Sequence, residues 1–171
     1  MNKLKTEYIA ISAICIAIQI ILSRFLAIQT SFFKLGFQLL PIIFVAIYLG
    51  CKYSIMVSVI SDILGAYLFP KGQYFIGFTI TALVAGIIFG ILLYRCENIY
   101  KVVIAVVLYT LICSLFLNTM WISYLNNISF AKVLFTNPFR IMSSLANCIL
   151  NIILGVILVS KDVRRLIKTV I

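Results

Sequence analysis

Six long stretches of this chain carry almost no charge, and they limit its fold more than any other feature. Five of them contain no Asp, Glu, Lys or Arg, and the remaining one contains only Asp62. The stretches cover residues 8–23, 35–51, 53–70, 72–94, 102–131 and 141–160. Hydrophobic residues occupy 64% of the 171 positions and the mean hydropathy is +1.22, whereas soluble domains are about 45–50% apolar.

This excess of apolar residues requires a lipid environment. One core of this size cannot bury so much apolar surface, so part of it must face hydrocarbon. A spanning helix takes about 20 residues, so six spans leave room only for short loops. The sequence therefore predicts an all-α integral membrane bundle of six transmembrane helices, folded as a single domain over residues 1–171.

The basic residues lie at the ends of the apolar stretches, and their distribution predicts the orientation. With six spans both termini share one side, which holds nine of the 14 Lys and Arg residues, and the other side holds five. The positive-inside rule then places both termini in the cytoplasm. Because topology accounts for most of the net charge of +10, we expect the lipid bilayer, and no nucleic acid, as the partner of these cations.

Groups that enzymes commonly use are scarce in the sequence. It contains no His, and its five Cys residues show no C-x-x-C spacing, so we expect neither a metal site nor a cofactor. It lacks the G-x-x-x-x-G-K-[ST] phosphate loop, so the chain does not itself hydrolyse ATP. Without a usual active-site constellation we expect no enzyme and no catalytic residues.

Three charged residues near the outer end of the predicted bundle are candidates for ligand binding. Asp62 precedes Phe69, the outer end of its stretch, by seven residues, which places it about 10 Å deep. A carboxylate at that depth is costly and usually functional. Arg24 and Arg140 flank the first and last stretches, and guanidinium groups suit a carboxylate ligand. The alternatives are a structural pair of Asp62 with Arg24 or Ser58, and lipid headgroup contacts for the arginines.

Aromatic and amide side chains gather at the same end. Pro70 and Gly72 force a turn before the fourth helix, and the fifth helix closes nearby. Stacking faces beside hydrogen-bonding groups suit a flat heteroaromatic ligand, although an interfacial aromatic belt has a similar composition. The candidates here are Lys71, Gln73, Tyr74, Phe75, Phe78, Thr79, Asn118, Thr119 and Trp121.

Two further features concern the packing of the bundle. Residues 25–35 are too few to span and too apolar for an ordinary loop, so we expect them to dip into the outer face, where protein or a cavity surrounds irregular backbone. Ala10, Ala13 and Ala17 line one side of the first helix. Small residues at this spacing let another helix approach closely.

Together these segments resemble the S component of energy-coupling-factor (ECF) transporters, in particular the folate-type branch. The resemblance covers roughly residues 10–155 and rests on short stretches in a shared order. The turn at 70–79 and the Asn118-Thr119-x-Trp121 motif are the parts that point to folate. The matching stretches are residues 22–26, 34–41, 62–65, 70–79, 117–121 and 138–140.

The resemblance implies a function. S components are six-helix subunits of the bacterial cell membrane that bind a vitamin from outside. They dock on a transmembrane coupling protein that carries two ATPase subunits. Ala13 and Ala17 match the small-residue motif of the family, so we expect them, with Ala10, to form the docking surface. The resemblance therefore implies a high-affinity folate-binding subunit of an ATP-driven importer.

The chemistry of folate suits the candidate residues. We expect Asp62 to accept hydrogen bonds from the pterin, and Arg24, Lys71 or Arg140 to meet the glutamate carboxylates. Two other functions remain open at this point: an S component for riboflavin, thiamine or a queuosine precursor, and a membrane scaffold without a ligand. The expected stacking residues are Tyr74, Phe75, Phe78 and Trp121, and the expected polar-edge residues are Asn118 and Thr119.

Overall fold

The computed structural model describes residues 3–26, 28–29, 34–70, 74–135 and 138–160. Apart from one pair of two-residue strands, the regular structure in these ranges is helical. The elements are α1 (Lys3–Arg24), β1 (Ile28–Gln29), β2 (Lys34–Leu35), α2 (Leu40–Tyr48), α3 (Cys51–Leu68), α4 (Ile76–Leu93), α5 (Ile99–Tyr109), a π-helical segment (Thr110–Leu117), α6 (Asn118–Asn126), α7 (Phe130–Phe135) and α8 (Pro138–Val159).

Five of the described helical stretches are long and apolar enough to cross a bilayer. This confirms the all-helical class and the several apolar helices that the sequence predicts. The second and fifth apolar stretches do not form the regular spanning helices that the sequence predicts. The five stretches are Thr6–Arg24, Cys51–Leu68, Ile76–Leu93, Ile99–Asn126 and Ile141–Val159.

The second apolar stretch, expected to be a span over residues 35–51, forms only the short helix α2. This helix has 9 residues, so it is about 14 Å long and covers less than half of a hydrocarbon core about 30 Å thick. Pro41 lies in its first turn, where the missing N–H is not needed. Residues 36–39 before it are not helical. With Gly36 and Leu39 buried, this irregular backbone lies inside the bundle.

A small hairpin leads into this irregular segment. β1 pairs with β2 in antiparallel register, Ile28 opposite Leu35 and Gln29 opposite Lys34. Directly after β2, the backbone N–H of Gly36 donates to Oδ1 of Asn147 on α8 at 3.1 Å. The chain is therefore tied to α8 directly after the segment 25–35 that we expected to dip into the bundle.

The fifth apolar stretch forms one long helical unit with a π segment in its middle. The unit runs over Ile99–Asn126 and is capped by Asn127, whose φ of 51° is left-handed. It therefore extends past residues 117–122, where we expected the fifth helix to close, and α7 follows as a separate helix within the uncharged stretch 102–131. Exposed apolar side chains occur along the whole unit, as expected for a helix that faces lipid. They include Ile104, Val107, Leu108, Leu111, Ile112, Phe116, Met120 and Tyr124.

The hydrophobic core surrounds α2. Ile43 of α2 belongs to one buried cluster with Phe89 of α4, Val102 of α5 and Val159 of α8. These residues lie toward the end of the bundle where α2 ends and α5 begins. At the opposite end no helix continues α2 among the described residues, so space remains between α1, α3, α4 and the α5–α6 unit.

The helices α3 and α4 approach each other very closely. A Cβ atom at Gly90 would lie 2.5 Å from Cα of Cys51, and one at Gly86 would lie 2.8 Å from Cα of Ile55. Real side chains do not tolerate such distances to backbone, so glycine is required at both positions. This contact fixes the first turns of α3 against the second half of α4.

We expect Gly90→Ala to lower the stability of the protein by about 1–3 kcal/mol, because the new methyl group forces the two backbones apart. Helix propensity alone predicts the opposite sign, since Ala is favoured over Gly by about 1 kcal/mol. Thermal unfolding in detergent measures the difference, with Ile91→Leu on the exposed face of the same turn as the control. A Gly90→Ala protein as stable as the original would contradict the close helix contact.

Candidate ligand-binding site

A cavity of about 410 Å³ lies in the bundle beyond the start of α2. This volume falls within the range of small-molecule sites, about 300–1,000 Å³. Leu39 and Ile42, around the start of α2, contribute apolar wall. The polar and charged lining residues are Gln19, Ser23, Arg24, Gln38, Ser58, Ser61, Asp62, Tyr74, Thr81, Tyr109 and Asn118.

Arg24 brings a positive charge to the cavity from the last turn of α1. Its guanidinium group lies against Gly65 of α3, where a Cβ atom would be only 3.2 Å from Nε of Arg24. The missing side chain at Gly65 therefore makes room for the guanidinium. Since Arg24 is only half-buried and lines the cavity, its charge is available to an anion there.

Asp62 is held by a short chain of hydroxyl groups. Oγ1 of Thr79 donates to Oδ2 of Asp62 at 2.8 Å. Because a hydroxyl has one proton, the 2.8 Å contact between Tyr74 and Thr79 has the tyrosine as donor. The hydroxyl of Ser58 donates instead to the carbonyl of Ile55 at 3.0 Å. Asp62 thus has an uncharged partner on one oxygen and retains acceptor capacity toward the cavity.

Phe75 is the centre of an aromatic cluster at the start of α4. Its ring centroid lies 6.1 Å from that of Phe78, 5.6 Å from that of Trp121 and 6.0 Å from that of Tyr124. Phe75 and Phe78 line the cavity, while Trp121 and Tyr124 do not. The two inner rings offer stacking surfaces, and the outer rings hold them in place.

Trp121 also forms a hydrogen bond that reaches the cavity wall. Its Nε1 donates to Oγ1 of Thr81 at 3.1 Å, and Thr81 donates to the carbonyl of Gly77 at 3.1 Å. A Cβ atom at Gly77 would lie 2.6 Å from Cδ2 of Trp121. Glycine at this position therefore lets the indole ring pack directly on α4.

The π segment brings two lining residues to the same side of the α5–α6 unit. Tyr109 and Asn118 are nine residues apart, which is about two and a half turns of a regular α-helix and would place them on opposite faces. Both nevertheless line the cavity. The i→i+5 hydrogen bonding of the π segment between them reduces the rotation per residue and realigns the two side chains.

The structure brings half of the predicted ligand-binding residues to the cavity wall. Thr79 and Trp121 lie one layer behind it, through their bonds to Asp62 and Thr81. Thr119 is fully buried within α6, and its Oγ1 has no hydrogen-bond partner in the described part of the protein; it is not among the residues that line the cavity. The predicted residues that do line it are Arg24, Asp62, Tyr74, Phe75, Phe78 and Asn118.

Three predicted residues stay untested by this geometry. Lys71 and Gln73 lie outside the described residues. Arg140 belongs to the first turn of α8, but its side chain lies outside the described part of the structure.

Among the described residues, no group of three or more His, Cys, Asp and Glu side chains is arranged to hold a metal ion.

Several lining residues were not predicted. Gln19 and Ser23 are four residues apart on α1, and Ser58, Ser61 and Asp62 follow the same i, i+3, i+4 spacing on α3. Polar residues that repeat along one face of an apolar helix indicate a face turned away from lipid, so this signal was present. Gln38 and Tyr109 had no such signal, because their positions depend on the irregular segment before α2 and on the π segment.

The three alanines predicted to dock a partner lie on an open face of α1. Ala10, Ala13 and Ala17 are all exposed. The neighbouring Ile14 and Ile18 are exposed as well. This side of α1 is therefore not covered by the other described helices, and it does not line the cavity.

The sequence matches one protein family over nearly its whole length. Residues 7–168 match the family described as ECF transporter, substrate-specific component. The chain is 35% identical over 132 residues to the folate transporter FolT of Clostridium novyi (strain NT), covering 77% of this chain and 76% of that protein. It is 29% identical over 122 residues to the folate transporter FolT of Leuconostoc mesenteroides subsp. mesenteroides, covering 70% of this chain and 65% of that protein.

Two solved structures have the same fold. A crystal structure of FolT bound with folic acid superposes with a TM-score of 0.81 at 29% identity, covering 90% of this chain and 92% of that one. The S component for biotin from an ECF-type ABC transporter superposes with a TM-score of 0.72 at 22% identity, covering 96% and 94%. The second likeness concerns the fold alone.

We expect Thr81→Val to change the environment of Trp121, the single Trp of the chain. Valine removes the acceptor of the indole N–H, so the emission maximum and near-ultraviolet circular dichroism should shift, and the protein should lose about 1 kcal/mol of stability. Thr110→Val is a suitable control, because its hydroxyl bonds only to the carbonyl of Val106 within the helix. Identical spectra for Thr81→Val and the original protein would contradict the Trp121–Thr81 hydrogen bond.

Proposed function

We propose, because this chain belongs to the family of ECF transporter substrate-specific components, that it is the folate-binding subunit of an ATP-driven vitamin importer. Its family and its apolar helices make it a multi-pass protein of the bacterial membrane. The proteins of this family are transporter components and not enzymes, and we assign no reaction to the chain. The partner module would supply ATP hydrolysis.

The observation that carries the proposal is the combination of charges and rings around one cavity. Arg24 offers a cation to an acidic group, Asp62 offers an acceptor to N–H donors, and Phe75 and Phe78 offer faces to a flat ring system. Folate has a pterin with an N–H-rich edge, an aromatic middle and a dianionic glutamate tail. Each part of this ligand therefore has a complementary group in the cavity.

The proposed binding mode assigns the remaining predicted residues. Asn118 would hold the polar edge of the ligand, while Tyr74 and Thr79 would keep the Asp62 carboxylate in place. Trp121 would support the stacking surface of Phe75. At the cavity mouth, the glutamate carboxylates would also meet basic and amide groups near Arg24. The residues proposed for this role, without a described side-chain position, are Lys71, Gln73 and Arg140.

The choice of folate over another vitamin rests on charge and on the relatives together. The fold is shared with an S component for biotin, so the fold by itself does not identify the vitamin. Both curated relatives reported above are folate transporters by name, and the FolT crystal structure contains folic acid. The cation at Arg24 favours an acidic ligand over the positively charged thiamine. A scaffold without a ligand offers no reason for a cavity of about 410 Å³ lined by charged groups.

The proposed membrane topology retains six helices in a single domain over residues 1–171. The short helix α2 together with the irregular segment before it would take the place of the second span. Irregular backbone at membrane depth is tolerated where it lines a cavity, and Gln38 and Leu39 do so. The excess of basic residues around Lys52, Arg95 and Lys101 supports cytoplasmic termini.

The proposed partner is a membrane coupling protein that carries two ATPase subunits. Its docking surface would be the open face of α1 around Ala10, Ala13 and Ala17, where small side chains allow a partner helix to approach. The chain itself has no nucleotide-binding loop. Energy from ATP would therefore reach the ligand-binding cavity only through this contact.

We expect the purified chain, without partners, to bind folic acid at a nanomolar dissociation constant, about −12 kcal/mol. Riboflavin and thiamine should not compete. Asp62→Ala should weaken folic acid binding at least about 10-fold, because a hydrogen bond to a charged group contributes about 1.5–3 kcal/mol. Calorimetric titration measures each affinity, and Trp121 fluorescence reports binding in parallel.

Glu7→Gln is the control for this experiment, since Glu7 is an exposed carboxylate near the far end of α1. It should bind folic acid as the original protein does. Tight binding of a different vitamin would retain the transporter role and overturn the ligand. Unchanged affinity of Asp62→Ala would remove the central role proposed for this residue.

We expect Ala13→Trp to abolish folate uptake by the assembled transporter while leaving binding to the solitary subunit unchanged. The large ring blocks close helix approach on α1, and Ala13 is exposed and is not among the residues that line the cavity. Ile153→Trp adds bulk to an exposed position of α8 and should leave uptake intact. Cellular uptake of labelled folate measures transport, and titration of the subunit in detergent measures ligand binding. Normal uptake by Ala13→Trp would contradict docking on this face.

A further inference from the structure

The non-helical segment before α2 is held by a side chain of α8. The backbone N–H of Gly36 donates to Oδ1 of Asn147 at 3.1 Å. Gly36 is buried and lies after β2 and before α2, so neither the hairpin nor the helix supplies an acceptor for its N–H. A buried backbone N–H requires a partner, and Asn147 is that partner.

The amide group of Asn147 is oriented by its own helix. Its Nδ2 donates to the carbonyl of Ser143, one turn earlier on α8, at 2.9 Å. The carbonyl needs a donor and the N–H of Gly36 needs an acceptor, so only one orientation of the amide satisfies both. Asn147 is not among the residues that line the cavity. It therefore reaches a ligand there only through the segment that it holds.

This anchor lies two residues before the cavity wall. The N–H of Leu40 donates to the carbonyl of Phe37 at 3.1 Å and closes a tight turn. The two central residues of the turn, Gln38 and Leu39, both line the cavity. Because Gly36 directly precedes the turn, its position determines where these two side chains lie.

The other end of α2 is anchored independently. The hydroxyl of Tyr48 donates to the carbonyl of Leu158 at 3.0 Å, about three turns further along α8 than Asn147. Ile43, in the middle of α2, belongs to the buried core. Loss of the contact at Asn147 therefore leaves α2 in place and releases only the segment beside the cavity.

From these contacts we infer that Asn147 is a positioning residue for the ligand and acts through Gln38. This inference rests on the proposed folate-binding function. None of the described residues of α8 lines the cavity. Nevertheless, α8 contributes to ligand affinity, because it fixes the backbone from which Gln38 extends to the wall.

Two matched substitutions on α8 test the contact. Asn147→Leu removes the bond to Gly36. Asn151→Leu is the control, because Nδ2 of Asn151 also donates one turn back along α8, at 2.7 Å, while its Oδ1 has no partner among the described residues. By calorimetric titration of the purified chain, we expect Asn147→Leu to weaken folic acid binding about 5- to 10-fold and Asn151→Leu less than about twofold.

Two further readouts distinguish positioning from a general loss of structure. Isotope-labelled glycine gives signals for the eight glycines of the chain, and Gly36→Ala identifies that of Gly36. Its amide hydrogen exchange should accelerate in Asn147→Leu and not in Asn151→Leu. In a Gln38→Ala background, Asn147→Leu should weaken folic acid binding less than about twofold further, since two changes that act through one side chain are not additive.

The remaining outcomes overturn the inference in ways that can be told apart. Unchanged affinity of Asn147→Leu, equal losses in the two asparagine variants, or additive losses with Gln38→Ala would each exclude the positioning role and leave the folate function standing. Unaltered exchange at Gly36 would exclude the hydrogen bond itself. Failure of the original chain to bind folic acid would overturn the proposed function and the inference with it.

A second pair of variants covers a failure to fold. If Asn147→Leu aggregates in gel filtration, Asn147→Ala and its control Asn151→Ala decide by the same criteria. Alanine also lacks the amide group, and it adds no bulk between α8 and the segment before α2.

Discussion

Backbone hydrogen bonding within the membrane is the constraint on which this structure depends. Hydrocarbon offers no partner for N–H and C=O groups, so the chain must form helices wherever it meets lipid. The segment before α2 departs from this rule, and it does so inside the bundle, where Gly36 bonds to Asn147. The departure shortens α2, and the shortened helix leaves the cavity that Gln38 and Leu39 line.

The candidate site then depends on close helix contacts at positions where glycine has no side chain. Gly86 and Gly90 let α3 meet α4, so that Asp62 on one helix reaches Thr79 on the other. Gly65 makes room for the guanidinium group of Arg24. These glycines do not touch a ligand, yet they determine where the charged groups lie. The result is a carboxylate and a guanidinium that belong to one cavity wall and are each held by a different contact.

Much of this arrangement was predictable from the sequence, and the reason lies in local context. Arg24 and Asp62 stand out because charge is rare in apolar stretches, and the Phe75 cluster stands out because it follows Pro70. The side chains of Gln38 and Tyr109 were not predictable, since their positions follow from a non-helical segment and a π segment that hydropathy does not distinguish from regular helix. The length of α2 was missed for the same reason: residues 35–51 carry no charge and are almost all apolar, whatever their backbone conformation.

Because α2 lies toward one end of the bundle, the two halves of the bundle differ in how tightly their side chains pack. Buried side chains such as Ile43, Phe89 and Val102 interlock at one end, whereas the other end encloses a cavity in their place. Local opening requires least free energy where few apolar contacts are broken, so the ligand-binding end is the softer half of the molecule. A bound ligand would supply the missing contacts there. Occupancy would therefore stiffen the half of the protein that contains the cavity.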